Sequence, residues 1–308
     1  MLILRGFHSP DHQPLALTIG NFDGVHRGHQ SLLQRLREEA GARGLQTAVV
    51  VFEPHPREFF SPDTAPVRLT NLREKLERFA EMGIDRVQVC RFDQSFAQMS
   101  ATDFIHALCD RLNAKFVLIG DDFRFGRGRS GDFALMEKIA EQKGFQVAAM
   151  HSVLQSGIRV SSTAVRTALA EGNLRAAERF LGRPYSISGH VEHGDGLGSG
   201  LGFPTANIQM KHNRPPLIGV FAVRAYLEGG SAIDGAASLG VRPTVQANGK
   251  PVLEVHLFDF AEKIYGKHLR VEFLHKLRDE MKFPDVQALI KQIALDVDSA
   301  KQWLKQHG

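Results

Sequence analysis

The sequence predicts an α/β protein with two parts: a doubly wound parallel sheet in the N-terminal part and a small antiparallel β-barrel with a terminal helix in the C-terminal part. From residue 15 to residue 150, short apolar runs alternate with amphipathic stretches, which is typical of a parallel sheet covered by helices. Beyond residue 184, alternating strands are separated by glycines, as in small barrels. Apolar residues at helical spacing over residues 284–303 predict a last helix, packed on the outside of the barrel.

Five strands are predicted in the first part: LALTI from Leu15, TAVVVF from Thr47, RVQVCRF from Arg86, FVLIG from Phe116 and FQVAAM from Phe145. Between the first two strands, an apolar helical face is formed by Leu32, Leu33, Leu36 and Ala40, and the helix ends at Gly41 or Gly44. Further helices are predicted over residues 71–82, 101–112 and 132–143. The repeated strand and helix pattern favours an open, doubly wound sheet.

The stretch SSTAVRTALAEGNLRAAERFLGRPY predicts two helices, broken at Gly172 and stopped by Gly182 and Pro184. We therefore predict a domain boundary here, with one domain over residues 1–182 and a second over residues 183–308. The strands predicted for the second domain are SISGHVEH, GVFAVRAYLEGG, VLEVHLFDF and HLRVEFL.

Composition indicates a cytoplasmic protein that binds phosphate ligands. The net charge is +4, without a long Lys/Arg run, which fits polyphosphate ligands at least as well as nucleic acid, and we expect no nucleic-acid partner. Cys90 and Cys109 form no CxxC pair, as expected in a reducing cytoplasm. The opening residues lack a signal peptide, and no apolar run reaches membrane-spanning length, so we expect no membrane partner. No particular oligomeric state is predicted.

The loop GNFDGVHRGHQ follows strand LALTI and places His26, Gly28 and His29 at the mouth of the first helix. Main-chain amides and the helix dipole attract phosphate there, and Gly28 lets a triphosphate approach the backbone. The two imidazoles are placed to donate hydrogen bonds to an α-phosphate as pyrophosphate leaves. The alternative is a pair of ordinary histidines in a surface turn.

A second phosphate site is predicted at RVSSTAVR, where hydroxyl side chains start a helix between Arg159 and Arg166. The residues suited to the β- and γ-phosphates are Ser161, Ser162 and Thr163, together with the two arginines. An ordinary helix N-cap is the alternative, and it accounts for one serine but not for the arginines.

The motifs GNFDGVHRGHQ, FEPHP, GDDFRFGRGRSGD and SSTAVR resemble the FMN adenylyltransferase module of bacterial bifunctional riboflavin kinase/FAD synthetases, a family of HxGH nucleotidyltransferases. The resemblance implies that His26 and His29 contact ATP phosphates in catalysis. It also implies ATP contacts at Gly20, Phe22, Gly28, Arg159, Ser162, Thr163 and Arg166, and flavin contacts at Phe52, His55, Asp122 and Phe125. Phe52 and Phe125 are suited to stack on an isoalloxazine ring, although core packing is the alternative for both.

In the second part, the glycine-rich loop HGDGLGSGLGFPTANI brings amides close to a nucleotide phosphate, and Thr205 and Asn207 offer neutral oxygens to a hydrated Mg²⁺. A flexible loop followed by a turn is the alternative. In LEVHLFDF, Glu254 and His256 share the face opposite the apolar residues, where Glu254 is placed to act as general base toward a hydroxyl. A structural Glu254, paired with a nearby Arg or Lys, is the alternative.

The segments GRPYSISGHVEHG, LGFPTANI, GVRPT, EVHLFDF and LRDEMKF resemble the riboflavin kinase module of the same family. The resemblance implies that Thr205 and Asn207 hold Mg-ATP, that Glu254 deprotonates the ribityl hydroxyl, and that the segment around Arg278, Glu280 and Phe283 borders the flavin. One departure is Ser199, since the family commonly has a basic residue at that place in the glycine loop.

We therefore predict a bifunctional enzyme with ATP, riboflavin and FMN as substrates and Mg²⁺ as cofactor, which phosphorylates riboflavin to FMN and adenylylates FMN to FAD with release of pyrophosphate. One competing hypothesis is a single-activity HxGH nucleotidyltransferase with an accessory barrel. Another is a flavin- or nucleotide-binding regulatory protein without turnover.

Overall fold

The structure is a computed structural model of the chain, and it describes residues 1–151, 153–155, 157–194, 201–211, 214–241 and 251–307. The chain forms two compact units. The first consists of Met1–Pro66 and Leu72–Ser161, and the second consists of Val67–Asn71 and Ser162–Gly308. Each unit has its own sheet, as the change of sequence pattern predicts.

The first unit is built around a six-stranded parallel sheet. Its strands are β1 (Leu2–Arg5), β2 (Leu15–Ile19), β3 (Gln46–Glu53), β4 (Arg86–Arg91), β5 (Ala114–Gly120) and β6 (Gln146–Met150), in the order β1-β4-β3-β2-β5-β6. A two-stranded hairpin follows, with β7 (Leu154–Gln155) and β8 (Ile158–Arg159). The five strands predicted from the apolar runs are confirmed, whereas β1 was not predicted.

Helices cover both faces of this sheet. They are α1 (Arg27–Arg43), α2 (Pro56–Phe60), α3 (Leu72–Glu81), α4 (Gln94–Ala97), α5 (Ala101–His106, continued by a π turn over Ala107–Arg111) and α6 (Phe133–Lys143). Successive strand residues point to opposite faces, so Leu17 and Val50 belong to one apolar cluster while Ala16 and Val49 belong to another. Both clusters are buried, which explains why these strands read as continuous apolar runs.

The second unit contains a closed antiparallel barrel and, among its described residues, three helices. The helices are α7 (Ser162–Ala170), α8 (Leu174–Leu181) and α9 (Val286–His307). The strands are β9 (Tyr185–Glu192), β10 (Ala206–Ile208), β11 (Gly219–Leu227), β12 (Ala232–Val241), β13 (Pro251–Leu257) and β14 (His268–Arg278), in the closed order β10-β13-β12-β11-β14-β9. The predicted barrel, the two-helix connector and the terminal helix are therefore confirmed.

The local sequence explains where α8 ends and how α9 packs. Gly182 takes a left-handed conformation, with φ of 75°, and ends α8 as expected for a glycine after the last helical turn. The terminal helix α9 packs on the barrel through Val297, Ala300 and Leu304, which lie against Ala222 of β11 and further apolar residues.

The connector helices are part of the second unit, which also includes the separate segment Val67–Asn71. Arg166 of α7 donates from Nε to the carbonyl oxygen of Val67, 2.6 Å away. The buried Tyr185 hydroxyl donates to the carbonyl oxygen of Leu69, 2.9 Å away. These bonds fasten the segment to the second unit.

No helix in the described part of the chain is long and apolar enough to cross a membrane. Cys90 is buried and Cys109 is half-buried, and neither forms a disulfide.

Candidate active sites

In the first unit, the GNFDGVHRGHQ loop connects the carboxyl end of β2 to α1, and His26 is the N-cap of that helix. The Nδ1 atom of His26 accepts a hydrogen bond from the main-chain N–H of His29, at 3.3 Å. A neutral imidazole that accepts through Nδ1 carries its proton on Nε2. His26 therefore presents Nε2–H as a donor at the positive end of a 17-residue helix.

The His29 ring stacks on the His26 ring, with centroids 3.7 Å apart, and also packs against Phe22. Burial holds the pKa of His29 well below its usual value, and the positive charge of Lys75, together with that of His26 when it is protonated, lowers this pKa further. His29 is therefore neutral at pH 7. Its buried Nδ1 atom makes no hydrogen bond to the described residues.

Small and buried residues hold the two rings in place. A Cβ added to Gly28 would lie 3.2 Å from the His26 ring, and one added to Gly20 would lie 3.1 Å from the Phe22 ring. Phe22 is buried and packs edge-on against Phe79 of α3. The sequence-predicted residues Gly20, Phe22 and Gly28 thus belong to one packed loop around the histidines, with Phe22 as a support in its core.

Lys75 was not predicted from the sequence, although it contacts this loop. It lies on α3, is only 2% exposed, and donates from Nζ to the carbonyl oxygen of Asn21 at 3.2 Å. A lysine in an amphipathic helix is usually exposed to solvent. The sequence around Lys75 therefore does not indicate that this side chain is buried against the loop.

Arg159 of β8 and Asp122 form an exposed ion pair in the first unit. An added Cβ at Gly28 would lie 3.6 Å from the carbonyl oxygen of Val160, so the chain reaches Ser161 beside the HxGH loop. In the second unit, Ser162 and Thr163 begin α7, and Arg166 follows one turn later. The phosphate-binding roles of these residues remain predictions.

The residues predicted to contact flavin in the first unit have different surroundings. His55 caps α2 through Nδ1, which accepts from the Arg57 N–H at 3.1 Å. Phe52 and Phe125 are 8% and 6% exposed and belong to the apolar core. Phe125 packs over Gly131, where an added Cβ would lie 2.4 Å from its ring. This burial favours core packing for both phenylalanines, and their flavin contacts remain predictions.

In the barrel, strand pairing brings the predicted kinase residues into one row. Asn207 of β10 lies directly opposite Glu254 of β13, and Glu254 lies opposite Ser238 of β12. The three side chains are half-buried, whereas the residues before and after Asn207 and Glu254 are buried inside the barrel. The amide, the carboxylate and the hydroxyl therefore line the outer face together.

Two contacts hold the PTAN segment beside this row. His256 donates from Nδ1 to the carbonyl oxygen of Pro204, at 2.8 Å, and thus fixes the residue before Thr205. The backbone at Gly194 lies against the Asn207 side chain, since an added Cβ would lie 2.2 Å from its amide nitrogen. Ser199 and most of the GVRPT motif lie outside the described residues.

Arg278, the last residue of β14, is bound to the terminal helix. Its Nε atom donates to Oδ1 of Asp296 at 2.9 Å, and its Nη2 atom donates to Oδ2 at 2.7 Å. The same guanidinium lies over the Phe283 ring, 5.8 Å from its centroid. The flavin contact of Arg278 remains a prediction, and its partner Asp296 was not predicted from the sequence.

Replacing Gly194 by Ala tests whether the Asn207 amide matters for phosphoryl transfer. The added methyl group requires the amide or the loop to move, so we expect Gly194→Ala to reduce the predicted riboflavin phosphorylation at least about tenfold. Initial rates of FMN formation from riboflavin give the measurement, and the predicted adenylylation of added FMN by the same protein is the internal control. An unchanged kinase rate would show that the Asn207 amide needs no fixed position.

Comparison with known proteins decides what the two sites belong to. Residues 8–164 match the FAD synthetase family model, and residues 181–304 match the riboflavin kinase model. The protein named bifunctional riboflavin kinase/FMN adenylyltransferase in Escherichia coli K12 is 47% identical over 307 residues, with 98% of both chains covered. The chain belongs to the bifunctional riboflavin kinase/FMN adenylyltransferase family. Its relative in Haemophilus influenzae is 46% identical, again over 98% of both chains.

The fold of this family is also seen in a solved structure from Streptococcus pneumoniae, titled as a macrolide-efflux protein. It has a TM-score of 0.82 and 25% identity to this chain, and it covers 98% of this chain and 100% of its own. The likeness extends over both units. It agrees with the predicted order of a parallel-sheet domain followed by a small barrel.

Proposed function

We propose that this chain makes FAD from riboflavin in two ATP-dependent steps, with phosphorylation at the barrel and adenylyl transfer at the HxGH loop. The observation that carries the proposal is that one chain of the family has both a histidine pair at a helix N-terminus and an Asn207–Glu254 row on a barrel. The histidine pair has no role in the proposed phosphorylation, and the Asn207–Glu254 row has none in the proposed adenylyl transfer.

For adenylyl transfer, we propose that the FMN phosphate attacks the α-phosphorus of ATP in line with the leaving pyrophosphate. Such a transfer depends mainly on positioning and on charge stabilisation. Nε2–H of His26 and the neutral His29 ring donate to the oxygens on which charge develops, at the positive end of α1. Arg159, Ser162, Thr163 and Arg166 are proposed for the β- and γ-phosphates.

For phosphorylation, we propose that Glu254 takes the proton of the ribityl hydroxyl as that oxygen attacks the γ-phosphorus and ADP leaves. Thr205 and Asn207 would hold Mg²⁺, and the fit is reasonable because both offer neutral oxygens and the Gly194 backbone closes over the Asn207 side chain. When bound, Mg²⁺ neutralises charge on the phosphates. His256 keeps Thr205 in place through Pro204.

We propose that FMN binds near His55, Asp122 and the Phe52 and Phe125 segments of the first unit, and that riboflavin binds near Arg278. A cytoplasmic location is proposed because neither of the two cysteines forms a disulfide.

The test is to incubate the purified protein with riboflavin and Mg-ATP and to separate FMN and FAD by chromatography. We expect FMN to appear first and FAD to follow. FAD formed only from added FMN would favour a single-activity nucleotidyltransferase, and tight flavin binding without product would favour a regulatory protein.

We also propose that the two activities separate near residue 182. A fragment of residues 1–182 is expected to convert FMN to FAD, and one of residues 183–308 is expected to make FMN from riboflavin, because each contains its own sheet or barrel. The second fragment loses α7 and α8, which belong to the compact second unit. We therefore expect it to unfold at a lower temperature than a fragment of residues 162–308, as measured by circular dichroism. Inactivity of all fragments, although folded, would contradict the division.

A further inference from the structure

A buried carboxylate of the terminal helix binds the end of the last barrel strand. Asp296 lies on α9, is 7% exposed, and accepts hydrogen bonds from both Nε and Nη2 of Arg278. Removing a carboxylate from water is costly unless it is paired and hydrogen-bonded. The packing of α9 on the barrel does not require a charged residue at this position, because its neighbours Val297 and Ala300 make apolar contacts.

The arrangement leaves Arg278 in a single orientation. Gln292, one turn before Asp296, donates from Nε2 to Oδ1 at 2.9 Å and fixes the carboxylate. Nη1 of Arg278 donates to the carbonyl oxygen of Asp279 at 2.9 Å. A guanidinium has five N–H donors in a rigid plane, so binding through Nε, Nη1 and Nη2 leaves two donors whose directions are set by Asp296.

The same segment lies beside the row that contains Glu254. A Cβ added to Gly240 would lie within 2 Å of the Glu280 carboxylate, so residue 280 rests on the β12 backbone. Gly240 is two residues from Ser238, which is the strand partner of Glu254. Two residues of a strand span about 7 Å. The segment of residues 278–283 therefore borders the same outer face as the proposed general base.

We propose that Asp296 is a positioning residue for riboflavin: with Gln292 it orients Arg278 and holds the segment of residues 278–283 against the flavin side of the kinase site. The inference rests on the proposed kinase function. It makes the terminal helix part of the substrate site, although none of its residues needs to touch the flavin. Loss of the carboxylate frees the guanidinium to adopt other rotamers, and riboflavin then binds to a less ordered site.

The test compares Asp296→Asn with a control on the same helix. Lys301→Met removes the cation that lies 5.1 Å from the centre of the Phe258 ring, and it leaves Arg278 untouched. We expect Asp296→Asn to raise the KM for riboflavin about 10- to 100-fold, with the KM for ATP within a few-fold of wild type. Lys301→Met should leave both values unchanged, and adenylylation of added FMN should be normal in both variants.

A purely structural role for Asp296 would lower the melting temperature without changing the riboflavin KM below that temperature, and this result would overturn the proposal. An equal rise of both KM values would overturn it as well. If Asp296→Asn does not fold, Gln292→Ala removes one hydrogen bond to the carboxylate and should still raise the riboflavin KM selectively.

Absence of FMN formation by the wild-type protein would instead contradict the proposed function itself. In that case quenching of riboflavin fluorescence measures binding directly, and equal affinities of wild type and variant would reject the positioning role.

Discussion

Replacement of both His26 and His29 by Ala is expected to abolish FAD formation and to leave FMN formation from riboflavin nearly unchanged. Removal of one hydrogen-bond donor to a developing negative charge typically costs about 100- to 1000-fold in rate, and removal of both should cost more. The proposed kinase residues Asn207 and Glu254 lie in the other compact unit, so riboflavin phosphorylation serves as the internal reference. The measurement is the initial rate of FAD formation from FMN and ATP.

The experiment must separate catalysis from helix capping, because His26 is an N-cap and is also proposed to take part in adenylyl transfer. Loss of an N-cap side chain costs about 0.5–2 kcal/mol of stability. His26→Asn keeps a capping oxygen while it removes the imidazole, and we expect it to be stable but slow. His8, an exposed histidine of the same unit, provides the control variant His8→Ala. Near-normal adenylylation by the double Ala variant would remove the histidine pair from the mechanism.

Glu254→Gln is expected to depress riboflavin phosphorylation about 100- to 10,000-fold, the usual contribution of a general base. A ribityl hydroxyl is too weak an acid to ionise at neutral pH, so a carboxylate within hydrogen-bonding reach should assist its attack. Riboflavin and Mg-ATP should still bind, because glutamine keeps the shape of the side chain. The loss should therefore appear in kcat rather than in KM.

A matched control is available in the same row of the barrel. Glu192 of β9 lies opposite Asn207 on its other side and is an exposed carboxylate. Glu192→Gln removes the same charge from a neighbouring position, and we expect at most a few-fold change. If Glu192→Gln and Glu254→Gln are equally slow, the two carboxylates contribute only through their negative charge. If Glu254→Gln phosphorylates riboflavin within a few-fold of wild type, Glu254 has a structural role at the barrel rim.

The elements with strong periodicity could be predicted from the sequence. The five long strands of the sheet and helix α1 are marked by apolar runs, by glycines at their ends, or by both. The two-residue strands β7 and β8 were missed, and so were β1, β10 and β12. β1 and β10 are four and three residues long, and β12 has the sequence AIDGAASLGV, with few of the β-branched and aromatic residues that mark strands. Pairing with distant neighbours makes them strands.

The candidate sites could be predicted where a motif carries them along the chain. The histidine pair, Asn207 and Glu254 were found in this way. Contacts between distant residues could not be found, and Lys75 at Asn21 and Asp296 at Arg278 are examples. Both are charged residues in amphipathic helices, where the sequence pattern is that of a solvated face. Only the tertiary structure distinguishes them from surface charges.

The segment Val67–Asn71 has a consequence for the order in which the chain folds during synthesis. It leaves the ribosome early, yet its partners Arg166 and Tyr185 follow 99 residues after Val67 and 116 residues after Leu69. Domains generally fold in turn as they emerge, beginning at the N-terminus. Here the five residues Val67–Asn71 can form these hydrogen bonds only after Arg166 and Tyr185 have been synthesised. A ribosome-bound chain stalled before residue 166 should therefore leave this segment open to proteases, and synthesis past residue 185 should protect it.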